Sequence, residues 1–471
     1  MVMSIVIVGL ATDGPVNQPV KISNLSDLRK LFGGNYIQRE SVTPTQTLVN
    51  LDFVSQGPIY NTLGGRKDYL YNPIILSSGA VQFGAPGGAS NLTLDLTYTP
   101  FLGVSDLITA MSWIHGNNAS PVYVVRAGAV AATASSGNWL FESIYPGTRY
   151  NNLSIVASAT GLVISGLEPQ YPTCTYATTD SWSIEQQIAI DVDLGMCPVV
   201  LRTRGTNLGT FSIATSGGTD GVMNASTISS FLEGSTLPVD ASHVFFLTEA
   251  TSGVVSAIVD HTQDNPQPRM YYVNAPTVTL PVSGWINGLS STLPTRHSLL
   301  SFMSGTVDIE LDGEFRTRYA VEGLAQGMLR SGSGNCTNVS CSAVSTSPEF
   351  TAAQLAQLKS KGFMAMRVGI PNNVTVYEGV TSAADYSFLY SSKVAEISAV
   401  AYKFGYTQIG VIQPSGDKPE LAKRLAALLD NIQYVTTEKV SINIASSVMY
   451  IEIVARIPNE ILTIRFNIKN A

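Results

Sequence analysis

Apolar and polar residues near the carboxyl end of the chain alternate with the period of two that is typical of half-buried β-strands. Three such runs occupy residues 440–445, 449–457 and 461–469. The apolar positions of the last run are Leu462, Ile464, Phe466 and Ile468. Thr, Arg and Asn separate them, so one face of the strand is expected to pack on a core while the other meets water. The pattern predicts a sheet that ends the chain.

A second apolar segment lies near the amino end and contains Ile5, Val6, Ile7 and Val8. Because chain ends are usually poorly ordered, strands so near to both ends need a partner. One interpretation pairs them within their own subunit. The other sends both terminal strands to neighbouring subunits, where they add to a preformed sheet edge. The receiving strands would then carry Val440, Ile442, Ile444, Tyr450, Ile451 and Ile453.

The clearest helical pattern covers residues 417–432, where Asp417 and Glu420 resemble a capping box. Its predicted apolar stripe is Leu421, Leu425, Leu428, Leu429 and Ile432. Its polar residues are Lys418, Lys423, Arg424 and Asp430. A second helix is expected to begin after the capping residue Thr351 and to stop at Gly362.

The order of these patterns predicts a mixed α/β protein. Strands and helices alternate over residues 218–384, as in an α/β layer with parallel strands, and residues 139–217 are typical of a β-sandwich. Residues 1–22 form the amino-terminal arm, and residues 23–138 form the first part of the core. Within the latter, residues 36–103 are interpreted as a β-rich insertion of open role, and residues 385–471 as a carboxyl-terminal domain.

The loop at residues 331–348 is rich in Ser, Gly and Asn, which predicts an exposed segment with Cys336 and Cys341 open to thiol reagents. The four cysteines of the chain have no metal-binding spacing, and without an export signal reduced thiols are expected. No pattern for a metal, a cofactor or a catalytic residue is recognised, so neither a cofactor nor enzymatic activity is expected.

Composition narrows the classes of partner. Only 13% of residues are charged, about half of the usual ~25%, and the net charge is −7. An acidic chain without Lys/Arg clusters is not expected to bind nucleic acid. No apolar run has the ~20 residues of a membrane helix. A weakly charged surface suits a protein that is buried largely against copies of itself.

Several segments together resemble the sheath protein of contractile phage tails and related contractile injection systems. Their order and spacing over most of the chain carry the resemblance. They are Gly9-Leu10-Ala11-Thr12-Asp13-Gly14-Pro15-Val16, Leu28-Arg29-Lys30-Leu31-Phe32-Gly33-Gly34, Val122-Tyr123-Val124-Val125-Arg126, Tyr145-Pro146-Gly147 with Asn151-Asn152, Gly217-Gly218-Thr219-Asp220-Gly221, and the segment at 376–384.

The resemblance implies a subtilisin-like α/β core, a β-sandwich and a carboxyl-terminal domain whose sheet is completed by exchanged terminal strands. It also implies stacked hexameric rings around an inner tail tube protein, with baseplate and tail terminator proteins as further partners. Such a subunit would be made in the host cytoplasm and would reside in the virion tail. The polar face of residues 417–432 is then either an ordinary solvated helix face or a surface that contacts the tube through charge pairs.

Two functional classes stay open at this point: a contractile sheath subunit and a non-contractile shell or adhesin that assembles by similar strand exchange. A subtilisin-like fold raises protease activity as a formal third class. None of His115, His243, His261 or His297 lies in a catalytic context, and no nucleophile motif is present. Without a nucleotide-binding motif, contraction would draw its work from a metastable assembled state behind a kinetic barrier.

Overall fold

The computed structural model describes residues 4–11, 13–32, 42–44, 73–75, 81–83, 92–96, 107–115, 122–167, 171–234, 237–311, 314–332, 334–369, 373–384, 387–408, 418–445, 448–458 and 460–469. The chain divides into two compact units. Asn35–Leu102 forms one of them, and Met1–Gly34 with Gly103–Ala471 forms the other. The balance of helices and sheets confirms the expected α/β class.

The strands, in chain order, are β1 (Ile5–Gly9), β2 (Val20–Ile22), β3 (Val42–Pro44), β4 (Pro73–Ile75), β5 (Val81–Phe83), β6 (Leu92–Leu96), β7 (Val122–Arg126), β8 (Thr133–Ser136), β9 (Trp139–Ser143), β10 (Ser154–Ser158), β11 (Gly161–Ser165), β12 (Cys174–Tyr176), β13 (Val199–Thr203), β14 (Phe211–Ala214), β15 (His243–Glu249), β16 (Met270–Asn274), β17 (Leu300–Ser304), β18 (Thr306–Leu311), β19 (Glu314–Tyr319), β20 (Ser345–Ser347), β21 (Phe363–Gly369), β22 (Asn373–Val376), β23 (Thr436–Ala445), β24 (Val448–Ile457) and β25 (Glu460–Lys469). The helices are α1 (Leu25–Phe32), α2 (Leu107–Ile114), α3 (Ser181–Asp193), α4 (Ala225–Gly234), α5 (Ser252–Asp264), α6 (Val282–Thr292), α7 (Ala320–Ser331), α8 (Ala352–Ser360), α9 (Phe388–Gln408) and α10 (Lys418–Leu429).

Eight strands form the main sheet in the order β2-β7-β1-β15-β16-β17-β21-β22. The six inner strands run parallel, and an antiparallel strand closes each edge. β1 lies near the middle, with Ile7 level with Val124 of β7 and with Phe245 of β15. Parallel sheets are usually covered on both faces, which requires apolar side chains at successive positions.

Helices cover both faces of the main sheet. On one face Ile5 and Ile7 join a core that includes side chains of α1, α2 and α7, among them Phe32 and Leu324. On the other face Val6 and Val8 join a core with side chains of α4, α5, α6 and α8. We call this sheet with its helices the core domain.

A second set of sheets follows β7. Four strands in the order β12-β11-β10-β14 and three in the order β13-β9-β8 enclose one apolar core, which includes Trp139, Phe141 and Tyr150. We call strands β8–β14 with α3 the sandwich. The helix α3, which the β patterns of this region did not predict, begins at the cap Asp180, whose carboxylate accepts a hydrogen bond from the backbone of Ser183.

The segment at 331–348 corrects an expectation. β20 pairs with β18, and the Cys336 and Cys341 side chains are buried rather than exposed. Their thiols lie against the sulfurs of Met364 and Met366 of the main sheet. Burial raises the pKa of the Cys341 thiol to about 11 and raises that of Cys336 further. The polar composition of the loop gave no indication of these long-range contacts, which bury both thiols.

The expected cap of α8 is confirmed. The Thr351 hydroxyl accepts a hydrogen bond from the Gln354 backbone, and the Gln354 side chain accepts one from the Thr351 backbone. Gly362 follows the helix in a left-handed conformation, which glycine adopts without strain.

The unit Asn35–Leu102 carries one antiparallel sheet in the order β3-β6-β5-β4. The strand β6 pairs through Leu94 with both Pro44 and Val81.

Candidate assembly interface

The carboxyl-terminal sheet has the order β23-β24-β25, with all neighbours antiparallel. Its inner face packs on α9 and α10. Phe466 contacts Tyr402 of α9 edge to face, with ring centroids 5.5 Å apart. Ile468 lies where any side chain at Gly405 of α9 would stand, since a Cβ there would be only 2.4 Å from Ile468 Cδ1. The apolar half of the alternating pattern therefore faces the core, as predicted.

The outer face of this sheet is polar and carries two ion pairs between neighbouring strands. Arg465 Nε donates to Glu452 Oε1 at 2.8 Å, and Arg456 donates twice to Glu438 Oε1 at 2.7 and 2.9 Å. All four side chains are at least partly exposed, so each pair adds only about 0–1 kcal/mol. This face is exposed to solvent, and its ion pairs connect neighbouring strands but contribute little to the stability of the sheet.

The two outer strands of this sheet each leave one edge without a strand partner among the described residues. β23 and β25 are ten residues long and pair only with β24. Long unpaired edges present backbone N–H and C=O groups to any further chain. The edges therefore qualify as sites at which a second subunit could add a strand.

The proposed receiving residues divide between the two faces of the sheet. Ile442, Ile451 and Ile453 are buried, and Val440 and Ile444 pack against the same core. Tyr450 lies on the outer face and is 42% exposed. Five of the six thus help to hold the sheet on its own helices.

The amino-terminal segment corrects the exchange hypothesis for Ile5, Val6, Ile7 and Val8. These four residues form β1 of the core domain and are 0–1% exposed, between β7 and β15 of their own chain. The physical reason is their pattern: all four are apolar, which suits a strand buried on both faces. An arm that adds to a half-exposed sheet would alternate.

The carboxyl-terminal strand likewise pairs within its own chain. Ile464 of β25 lies level with Ile453 of β24, and Phe466 lies level with Ile451. The backbone of Leu462 continues this pairing opposite Ala455. In a single chain, the strand predicted for a neighbour's sheet therefore completes its own.

Helix α10 ends at Leu429, three residues earlier than expected, and its predicted cap Asp417 lies outside the described residues. Leu421, Leu425 and Leu429 are buried, whereas Leu428 is exposed and does not belong to the stripe. Lys423 and Arg424 are exposed.

The other two polar residues proposed for tube contact have partners within the chain. Lys418 Nζ donates to Asn443 Oδ1 at 3.2 Å, and Asp430 Oδ1 accepts from the Thr437 backbone at 2.9 Å. Both contacts tie α10 and the turn that follows it to β23. This leaves Lys423 and Arg424 as the outward charges of the predicted set.

A buried charge cluster, which the sequence analysis missed, connects the core domain with α9. Lys393 Nζ lies 2.9 Å from Glu396 Oε2, and the His243 Nε2 of β15 lies 3.6 Å from Glu396 Oε1. The other ring nitrogen of His243 is 2.9 Å from the Tyr272 hydroxyl. Burial lowers the pKa of His243, so its imidazole is neutral near pH 7.

A cavity of about 100 Å³ opens beside this cluster. Glu396, Asp240 and Lys403 line it together with Ser4 and Ser242. Lys403 Nζ forms an ion pair with Asp240 at 2.8 Å across the same boundary. Polar contacts therefore join α9 to the core domain at two points.

No known protein family and no curated protein matches the sequence. Solved structures do match it over nearly its whole length. The sheath tail protein of Listeria innocua is 14% identical, with a TM-score of 0.55, over 99% of this chain and 95% of that one. This is the tail-sheath fold. The sheath tail protein of Desulfitobacterium hafniense is 12% identical, with a TM-score of 0.50, over 100% of this chain and 97% of that one.

The likeness confirms, at the level of the fold, the resemblance carried by the sequence motifs. Within this tail-sheath fold, no helix among the described residues is long and apolar enough to cross a membrane. No group of three or more His, Cys, Asp or Glu among those residues could hold a metal ion.

Proposed function

We propose that this chain is the structural subunit of a contractile tail sheath. It would polymerise as stacked hexameric rings around an inner tail tube and shorten to drive that tube through a host envelope. The observation that carries the proposal is the tail-sheath fold, shared over at least 95% of the length of two sheath tail proteins. The low charge content supports self-assembly, and so do the two edges of the carboxyl-terminal sheet that have no strand partner among the described residues.

The partners proposed are copies of the same chain, the tail tube protein, and the baseplate and terminator proteins at the two ends. The site of action would be the tail of a virion assembled in the host cytoplasm. Work would come from relaxation of a metastable lattice and not from a bound cofactor.

Electron microscopy of the purified protein tests the proposal. We expect hollow, cross-striated tubes, and in the presence of the tube protein two lattices of different length. A protein that stays monomeric at high concentration would contradict the assembly. Tubes with a single lattice under all conditions would favour the non-contractile shell.

For the links between subunits, we propose that β25 exchanges with the same strand of a neighbour. In such a swap every contact of β25 in its own chain, including that of Phe466 with Tyr402, is made between chains instead. The strand then keeps its buried surface while the lattice gains a connection. β1 takes no part, because it lies within the core domain.

Cysteine pairs distinguish exchange from pairing within the chain. Tyr450 and Asn467 lie opposite each other on the outer face of β24 and β25. A Tyr450→Cys/Asn467→Cys variant, oxidised after assembly, should give a ladder of covalent multimers on a denaturing gel. Val156→Cys/Val163→Cys in the sandwich hairpin is the matched control and should give only monomers. Monomers from both variants would contradict the exchange.

A further inference from the structure

Four of the sequence segments that resemble sheath proteins meet at one place in the fold. They lie in the loop after β1, at the end of β7, in the turn before β10, and in the segment after β14. This place is the connection between the core domain and the sandwich. We call the segments 10–11, 13–17, 126–133, 145–152 and 214–221 the neck.

Backbone hydrogen bonds join the two chain crossings of the neck. Val130 and Thr219 exchange two bonds of 3.0 Å, and Thr133 and Ser216 exchange two of 2.9 Å. The Gly147 backbone donates to Val130 at 3.0 Å, which ties segment 145–152 to segment 126–133. Three segments therefore form one hydrogen-bonded unit, unlike a flexible linker, whose backbone is solvated.

Glycines allow the segments to approach this closely. A Cβ on Gly221 would lie 1.6 Å from the Gly128 carbonyl oxygen, and one on Gly218 would lie 2.4 Å from the Gly147 carbonyl oxygen. Gly218 also exchanges two hydrogen bonds with the Asn151 side chain, at 2.8 and 3.0 Å. The backbone leaves no room for the segments to slide past one another.

Asp13 connects the loop after β1 of the core domain to the sandwich. Its side chain is buried, and its carboxylate accepts hydrogen bonds from Arg149 Nη1 at 2.8 Å, the Tyr150 hydroxyl at 2.7 Å and the Gly14 backbone at 2.9 Å. Asp13 belongs to the loop after β1, whereas Arg149 and Tyr150 belong to the sandwich. Tyr150 also packs in the sandwich core, so the contact is anchored on both sides.

Arg126 places a second cation next to this carboxylate. Its side chain is 0% exposed, and Nη1 donates to the Gly14 carbonyl at 3.0 Å, while Nε and Nη2 have no hydrogen-bond partner among the described residues. Burial lowers the pKa of Arg126 to about 10, and the charges of Asp13 and Asp220 oppose that shift. Asp13 thus pairs directly with Arg149 and, together with Asp220, favours the charged form of Arg126.

From this geometry we propose that the neck makes the core domain and the sandwich one rigid body, with Asp13 as the positioning residue that fixes their relative orientation. A force applied to the core domain then moves the sandwich with it, without bending between them. The inference concerns a single chain and stands whether or not the proposed function does.

Distance measurements between spin labels test the inference. Ala159 at the tip of the β10–β11 hairpin and Gln263 of α5 are both exposed, and they belong to the sandwich and to the core domain, respectively. Cysteines placed there can be labelled selectively, because all four native cysteines are buried. Labelled chains diluted in an excess of unlabelled protein should give a single narrow distance distribution.

Asp13→Asn removes the charge that pairs with Arg149 across the neck, so the narrow distribution should be lost although both domains keep their secondary structure. Asp180→Asn, which removes a carboxylate charge at the cap of α3 outside the neck, is the matched control and should leave the distribution unchanged. If Asp13→Asn does not fold, Arg149→Met takes its place. A broad distribution in the parent protein, or an unchanged narrow one in the folded neck variant, would overturn the proposal.

Discussion

β1 and β25 are both strands close to one end of the chain, yet they occupy opposite kinds of position. β1 is apolar at four successive residues and lies inside an eight-stranded sheet. β25 alternates between buried and exposed residues and lies at the edge of a three-stranded one. Continuous apolar runs thus indicate strands covered on both faces, whereas alternation indicates strands with one face exposed.

The comparison also distinguishes strands that are needed for the stability of the fold from strands that are available for assembly. A strand in the middle of a sheet cannot leave without unfolding it, because two neighbouring strands lose their partner. An edge strand loses only one neighbour when it detaches. The part of the chain suited to exchange is therefore the carboxyl-terminal sheet, and the part suited to hold the fold is the main sheet.

The largest effect is expected from a charge in β1. Ile7→Asp places a carboxylate in the apolar core that Ile7 shares with Val124 and Phe245. Losses of about 4–5 kcal/mol or more follow such changes, which is comparable with the whole stability of many domains. The variant should be insoluble or unfolded by circular dichroism. A soluble variant with native secondary structure would show that β1 is dispensable to the main sheet.

Phe466→Asp should have the next largest effect, confined to the carboxyl-terminal sheet. Removal of a buried Phe side chain alone costs about 3–5 kcal/mol, and Phe466 is 3% exposed against Tyr402. The sheet should open while the core domain and the sandwich stay folded. Limited proteolysis should cut after α9 in the variant but not in the parent. Loss of the main sheet as well would contradict the separation of the two regions.

Much of this architecture follows from local sequence pattern. The alternation of β24 and β25, the cap of α8 by Thr351 and Gln354, and the buried stripe of α10 each depend on a few neighbouring residues. Helix α3 was missed because its outer face is apolar: Trp182 and Ile190, and Leu194 directly after the helix, are all more than half exposed, which weakens the amphipathic signal.

Contacts between distant segments were beyond such patterns. His243 and Glu396, or Asp13 and Arg149, come together only once the sheets are assembled. Burial of Cys336 likewise depends on Met364 of another strand. For β1 the signal was available: the absence of alternation distinguished it from β25, and its nearness to the chain end outweighed that signal.

Acid should weaken the connection between the core domain and α9. Burial lowers the pKa of His243 below its usual 6.5. Burial alone would raise the pKa of Glu396, but His243 and Lys393 lower it below 4.5. Both groups bind protons more readily in the unfolded chain than in the folded one, so both stabilise the folded state at neutral pH. It should fall below about pH 6.5 through His243 and further below about pH 4.5 through Glu396.

The His243→Gln variant shows how much His243 contributes to the pH dependence of stability. His261 and His297 also have pKa values lowered by burial, so the parent and the variant both lose stability in acid. Urea unfolding between pH 7.5 and 5 should show a shallower loss in the variant than in the parent. Identical pH slopes would mean that His243 is not part of the acid response.

The smallest effect on stability is expected from the outward charges of α10. Lys423 and Arg424 are exposed, and surface substitutions of this kind usually change stability by no more than about 0.5 kcal/mol. Lys423→Glu/Arg424→Glu should therefore melt like the parent. If this face of the helix contacts the inner tube through charge pairs, the reversal should abolish assembly around the tube while tube-free polymers still form. Lys21→Glu, an exposed reversal at β2, is the control and should assemble normally. Normal assembly of the double variant around the tube would show that this face of α10 does not contact the tube. The edges of the carboxyl-terminal sheet would then be the remaining candidate interface of this region.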